Sequence, residues 1–195
     1  TIVLFYIRGD KVSLVNPYIH SIAYYLPEKK LANEELALEI TGWSANKIYT
    51  KTGIKARHIA GENEFASDLA EKAALNLFRE NDIKPEDVDF MIVCTQSSDY
   101  FLPPIACVLQ EKLNIPKSCG AIDINMGCSG YVYALALAKS MIIAESAKNV
   151  LLITTDTYTK YINPQDKSTR TLFGDGASAT YITGDSTEKR IGQFV

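Results

Sequence analysis

Cys128 is the residue best placed to do chemistry in this sequence. A short β-rich run, Ala121 to Asn125, leads through Gly127 to it, and from Tyr131 an Ala- and Leu-rich stretch reads as a helix closing near Glu145. A thiol at a strand-to-helix joint meets the positive end of the helix dipole and unpaired backbone N–H groups, which favours its anionic, nucleophilic form. The neighbouring Gly127 and Gly130 admit a close approach, and no branched side chain flanks the sulfur. Cys94, Cys107 and Cys119 lack this setting and read as structural residues, buried small hydrophobes. A serine-hydrolase elbow would need glycine at position 131, where Tyr131 stands, so Ser129 is not read as a nucleophile.

A cysteine nucleophile usually has an imidazole in reach. The only two histidines, His20 and His58, both precede Cys128. His58 reads as a hydrogen-bonding structural residue, so the expected base is missing from the sequence.

The elements that would position Cys128 alternate in type. Asn16 to Leu26 is strand-like and stops at Pro27. Asn33 looks like an N-cap for a helix from Glu34 to Ile40, and Trp43 to Gly53 reads as a further short helix or turn. Phe65 to Arg79 is amphipathic, with Phe65, Leu69, Ala73 and Leu77 on one stripe and Leu75 and Phe78 widening it. Asp89 to Thr95 and Asn149 to Thr155 are continuous apolar strands of the kind found inside a sheet covered on both faces. Gln96 to Tyr100 is a polar loop at a strand's end, and Pro103 and Pro104 open a helix from Ile105 to Leu113. Thr171 to Ile182 reads as strand, glycine turn and strand. Helices alternating with apolar strands imply an α/β layered fold, in one domain without repeats or linkers.

Composition narrows the function classes. The 195 residues are 47% hydrophobic and 22% charged, an ordinary globular balance. A net charge of −3 argues against a general attraction to nucleic acid. The four cysteines form no C-x-x-C pair and no metal-ligand spacing, which fits reduced thiols in a cytoplasmic protein and no metal site. No apolar run approaches the ~18 residues of a membrane span. The opening Thr1 to Ile7 lacks a preceding basic stretch and is not read as a signal peptide; it is expected to pair with Val12 to Val15 across Gly9 and Asp10.

Two further stretches invite chemical readings. Lys55, Arg57 and His58 concentrate positive charge between Ile54 and Ile59, which reads as a solvated face or, alternatively, a clamp for a phosphate- or pantetheine-bearing ligand. Gly174 to Ala179 fits the dinucleotide pattern G-x-G-x-x-A, but that motif needs a helix after it, whereas Ala177 to Thr183 continues as strand. The glycines are expected to serve a tight turn and close backbone approach.

Four segments in one order then carry a family likeness: Tyr25-Leu-Pro-Glu28, Thr52-Gly-Ile-Lys-Ala-Arg-His-Ile59, Gly127-Cys-Ser-Gly-Tyr131 and Leu172-Phe-Gly-Asp-Gly-Ala177. From about Asn16 onward the sequence resembles the N-terminal half of β-ketoacyl-acyl carrier protein synthase III, of the thiolase superfamily. Residues 1–15 lie outside the match, as an extension of unknown role. The resemblance implies a thiolase-like half, a mixed five-stranded sheet with helices on both faces, over residues 16–195, with the C-terminal half absent. It implies that Cys128 takes an acyl group from acyl-CoA and passes it to malonyl-acyl carrier protein in a decarboxylative Claisen condensation initiating fatty-acid or related acyl-chain synthesis. In the family a histidine and an asparagine from the C-terminal half stabilise the enolate, which accounts for the missing imidazole. This chain alone is therefore not expected to condense substrates.

Carried over residue by residue, Lys51 and Lys167 match two basic positions that contact CoA, both arginine in many relatives; lysine lacks the bidentate fork. A tryptophan often found four residues before the first of them is Lys47 here, which leaves adenine stacking without its usual ring. Leu102 matches a phenylalanine that closes the acyl pocket across the dimer interface in acetyl-specific relatives, so a smaller Leu102 would admit longer or branched acyl groups. The implied partners are acyl-CoA, acyl carrier protein and a second copy of the chain in a homodimer, with no nucleic acid or membrane, and no cofactor beyond the CoA thioester as substrate. Hydroxymethylglutaryl-CoA synthase and plant-type polyketide synthases share a cysteine in this setting, and a non-catalytic acyl-binding or assembly module is the reading outside enzymology.

Overall fold

A computed structural model describes residues 15–185 and 189–194. The hairpin expected between Thr1 and Val15 falls on residues 1–14 and lies outside the described residues. In chain order the elements are β1 (Asn16–Tyr25), β2 (Lys30–Ala32), α1 (Asn33–Glu39), α2 (Ala45–Thr52), β3 (Ala56–His58), α3 (Ala66–Asn81), β4 (Phe90–Cys94), α4 (Ile105–Lys112), β5 (Gly120–Ile124), α5 (Gly130–Ile143), β6 (Asn149–Asp156), α6 (Lys167–Arg170) and β7 (Gly176–Asp185).

Five strands form one mixed sheet in the order β1-β7-β6-β4-β5, and β2 pairs with β3 in a separate antiparallel ribbon. β4 runs parallel to both β5 and β6, while β7 is antiparallel to β6 and β1. The chain moves outward from β4 to β5 through α4, then back across β4 to β6 through α5. Right-handed crossovers in opposite directions must lie on opposite faces. Accordingly α3 and α4 bury Leu69, Leu77, Ile105 and Leu109 against one face, and α5 lays Ala134, Ala138 and Ile142 on the other with Ile92, Val150 and Leu152. Covered on both sides, β4 is apolar throughout and β6 is apolar from Val150 to Ile153.

α5 departs from the usual amphipathic rule. Almost every residue from Tyr131 to Ile143 is apolar or small, yet only the stripe Gly130, Ala134, Ala138 and Ile142 is buried. Val132, Tyr133 and Ile143 are exposed. A helix apolar on all sides is ordinarily covered on all sides.

Several local expectations change in the fold. Asn33 is the first residue of α1 and not its cap; its amide turns inward, donating to the Ile54 carbonyl at 2.6 Å and accepting from Arg57 at 2.7 Å. Arg57 is therefore a buried tie and not part of a solvated face, because Asn33 and two carbonyls offer its guanidinium better partners than water. Leu75 points outward at 47% exposure, since Leu69, Ala73 and Leu77 already fill the core side of α3. Residues 171–175 are not a strand; β7 begins at Gly176. No helix among the described residues is long and apolar enough to cross a membrane.

Candidate active site

Strands β4, β5 and β6 end side by side, and the loops leaving their carboxyl ends frame a cleft of about 510 Å³. In open parallel sheets this end, where neighbouring crossovers leave in opposite directions, is the usual place for a ligand. β5 delivers Cys128, β4 delivers Cys94 and Gln96, β6 delivers Thr154 and Asp156, and Tyr158, Phe173 and Gly174 close one side.

The turn carrying Cys128 is fixed from three directions. Gly130 N–H donates to the Gly127 carbonyl at 2.8 Å, which winds the chain into α5. The Cys94 thiol donates to the Met126 carbonyl at 3.3 Å. Gly130 packs so closely that a β-carbon there would lie 2.3 Å from Cys94 Sγ and 3.0 Å from Met126 Cβ. Only glycine fits without moving one of them. Cys128 itself is exposed in the turn just before α5, so its sulfur is open to an incoming electrophile.

The other cysteines are not so placed. Cys94 and Cys119 are buried, and burial raises both thiols, Cys119 to about 11. Cys107, expected in the interior, is instead exposed on α4, whose core side is taken by Ile105, Ala106 and Leu109, and it lies outside the cleft.

Asp156 braces the floor of the site. Its Oδ1 accepts from Thr95 Oγ1 at 3.2 Å, Gln96 N–H at 2.9 Å and Ser97 Oγ at 2.8 Å, and Ser97 Oγ in turn accepts from Thr157 N–H at 2.8 Å. The sequence marks the loop from Gln96 to Tyr100 but does not single out Asp156. The available signal was a polar side chain directly after an apolar strand, in each of two neighbouring strands.

The Gly-Asp-Gly segment is a structural tie. Asp175 is buried and accepts from Ala60 N–H, Thr159 N–H and Thr159 Oγ1 at 2.8, 2.9 and 2.6 Å. A β-carbon on Gly174 would sit 2.9 Å from the His58 carbonyl. The motif holds two chain segments together, and β7 follows it where a dinucleotide site would need a helix.

Lys51 and Lys167 each reach the turn between α1 and α2, at Trp43 and Thr41 respectively. Lys167 Nζ donates to the Thr41 carbonyl at 2.7 Å, and Lys51 Nζ lies 5.6 Å from the centre of the Trp43 ring. Lys47 faces the same ring at 5.3 Å. Sequence spacing alone leaves Trp43 out of this group; the turn before α2 brings it in. Leu102 lies apart from the cleft, 73% exposed beside Phe101 at 98%. Neither His20 nor His58 borders the cleft; His58 Nδ1 donates to the Pro27 carbonyl and His20 Nδ1 meets Ser21 Oγ at 3.0 Å. Among the described residues no group of three or more His, Cys, Asp or Glu could hold a metal ion.

Fold and cysteine-bearing turn together define half of a thiolase-like condensing fold. The family model for 3-oxoacyl-[acyl-carrier-protein] synthase III matches residues 122–195. The β-ketoacyl-[acyl-carrier-protein] synthase III of Xylella fastidiosa strain Temecula1 is 43% identical over 161 residues, 83% of this chain and 49% of that protein. A crystal structure of a 3-oxoacyl-(acyl-carrier-protein) synthase III superposes with TM-score 0.89 at 52% identity, covering 92% of this chain and 54% of the other. The synthase III of Aquifex aeolicus superposes with TM-score 0.84 at 37% identity, over 88% of this chain and 55% of the other. Over most of its length the chain is similar to the N-terminal half of β-ketoacyl-[acyl-carrier-protein] synthase III. It spans about half the length of the curated relatives it matches.

Proposed function

We propose that this chain is the acyl-accepting half of a condensing enzyme that starts an acyl chain. The observation that carries the reading is Cys128, exposed in the turn just before α5 and lining a cleft at the carboxyl ends of three parallel strands. Its thiolate attacks the carbonyl carbon of an acyl-CoA; the carbon–sulfur bond to CoA breaks, and CoA leaves as its thiol after taking up a proton. Malonyl-acyl carrier protein then loses CO₂. The resulting enolate carbon attacks the acyl–Cys128 carbonyl, and the new carbon–carbon bond forms as the bond to sulfur breaks.

The enolate needs donors aimed at its oxygen. In the family these are a histidine and an asparagine of the C-terminal half, and here no imidazole borders the cleft. The apolar outer face of α5 supports the same division of labour, since a second half packed there would cover Val132 and Tyr133.

Lys51 and Lys167 supply positive charge for CoA phosphates at the turn between α1 and α2. The Trp43 ring between Lys47 and Lys51 offers the flat surface that position 47 lacks. The exposed Phe101 and Leu102 fit a homodimer in which Leu102 reaches the partner's acyl pocket. The chemistry suits a protein of the cytoplasm.

The test is an assay of the full-length gene product with acyl-CoA and malonyl-acyl carrier protein. Release of CO₂ and formation of a β-ketoacyl carrier protein, both lost in Cys128→Ala, support the reading. A full-length protein that binds acyl-CoA without turning it over would move the acyl-binding module to the front.

A further inference from the structure

A second cavity, which shares only Phe173 with the lining of the Cys128 cleft, lies between the β2–β3 ribbon and the segment running from Thr159 to α6. It is small, about 160 Å³, with room for a group of a few heavy atoms and not for a nucleotide. Three cationic side chains line it, Lys29, Arg57 and Arg170, against one carboxylate, Glu39.

Arg57 is the anomaly. It is only 4% exposed, yet it forms no ion pair among the described residues. Its guanidinium is held by neutral oxygens alone: Asn33 Oδ1 at 2.7 Å, and the carbonyls of Leu31 and Thr171 at 3.3 Å each. Its Nε is buried with no partner at all. A buried charge is costly unless an opposite charge or a full set of hydrogen bonds compensates it. Arg170 makes matters worse, since a second guanidinium close by repels the first. Burial first, and that repulsion second, push Arg57 below the usual arginine range.

Glu39 does not cancel the excess. It pairs with Arg170, whose other terminal nitrogen donates to the Pro164 carbonyl at 3.3 Å. Lys29 has no side-chain partner among the described residues, and its ammonium is free to turn toward the cavity mouth.

We propose that this cavity is a binding site for a compact oxyanion, phosphate in the first instance, with Arg57 as its buried floor and Arg170 and Lys29 at its mouth. Arginine suits the task because its planar fork presents paired N–H groups to a tetrahedral or carboxylate oxygen pair. The site does not depend on the condensing reading, and its residues do not include Lys51 or Lys167. The oxyanion is either a free ion or the phosphate of a larger ligand whose body lies outside the cavity.

The experiment is calorimetric titration of the chain with inorganic phosphate at constant ionic strength, chloride serving as the control. Saturable binding is expected, weakened about tenfold or more in Arg170→Gln, the loss typical of one charge-assisted hydrogen bond, and less in Lys29→Gln. Glu39→Gln should tighten binding by removing the competing carboxylate, which a purely structural Arg170 would not produce. Lys29 and Glu39 are exposed and Arg170 is partly buried, so the test does not require the buried Arg57 to be replaced. Phosphate that competes with CoA but not with pantetheine assigns the anion to a nucleotide ligand, and simultaneous binding of phosphate and CoA assigns it to a free ion. Phosphate heats indistinguishable from chloride, or binding unaltered in Arg170→Gln, would overturn the proposal.

Discussion

At Cys128 the constraint is steric before it is chemical. Gly130 lets the thiol of Cys94 slide beneath the turn, so the expected effect of Gly130→Ala is a clash with Sγ at 2.3 Å. Overpacking of this kind costs about 1–3 kcal/mol. Urea unfolding should show that loss, and adding Cys94→Ala should recover part of it, since the two residues share one space. No recovery in the double variant would mean that Met126 and not Cys94 sets the limit. The strand-to-helix setting of Cys128 was legible from sequence because a cysteine between glycines at such a joint is a local pattern. Asp156 was not, because its role is to join the ends of β4 and β6 across 60 residues of chain, which no local pattern records.

Among the elements, α4 illustrates a cap supplied from afar. Pro104 at its start has no capping side chain. Instead Asp123 of β5 accepts from Ile105 N–H at 2.7 Å and Ala106 N–H at 2.8 Å. Asp123→Ala should therefore destabilise the fold by about 1–2 kcal/mol, the usual value of an N-terminal cap, measurable by thermal or urea unfolding. A loss near zero would show that water replaces the carboxylate freely.

The α3–α4 contact adds a pH dependence. Burial acts to raise the Asp68 carboxyl, but Lys112 at 2.7 Å and the Phe65 N–H at 2.9 Å outweigh it and hold the group below its ordinary 3.8. A carboxyl depressed on folding stabilises above its unfolded value and loses that contribution as pH falls through the folded one. Acid unfolding curves of wild type and Asp68→Asn should diverge above about pH 4 and converge below it. Parallel curves would remove Asp68 from the account. The order and type of these elements followed from periodicity and prolines. Their caps did not, and Asn33 shows why: a good capping residue turns inward when a buried arginine needs its oxygen.

For the molecule as a whole, the decisive feature is the uncovered face of α5. The sheet and its two layers were readable from alternating helices and apolar strands. That α5 is apolar beyond its buried stripe emerged only when the sheet was seen to cover one side of it. Assayed alone with acyl-CoA and malonyl-acyl carrier protein, this chain should form no β-ketoacyl product, because no imidazole borders the cleft to help stabilise an enolate. Product formation by the isolated chain, above a Cys128→Ala control, would contradict the proposed division between halves.

The most direct measurement is intact-mass spectrometry after incubation with acyl-CoAs from acetyl to octanoyl, on this chain and on the full-length gene product, each beside its Cys128→Ser variant. The account predicts a mass gain equal to one acyl group on the full-length protein, absent from the serine variant, with the preferred chain length reporting on Leu102. An adduct on the isolated chain as well would show that the strand-to-helix joint suffices for loading. No adduct on the full-length protein, or an adduct that survives Cys128→Ser, would contradict the assignment of Cys128 as the acyl acceptor.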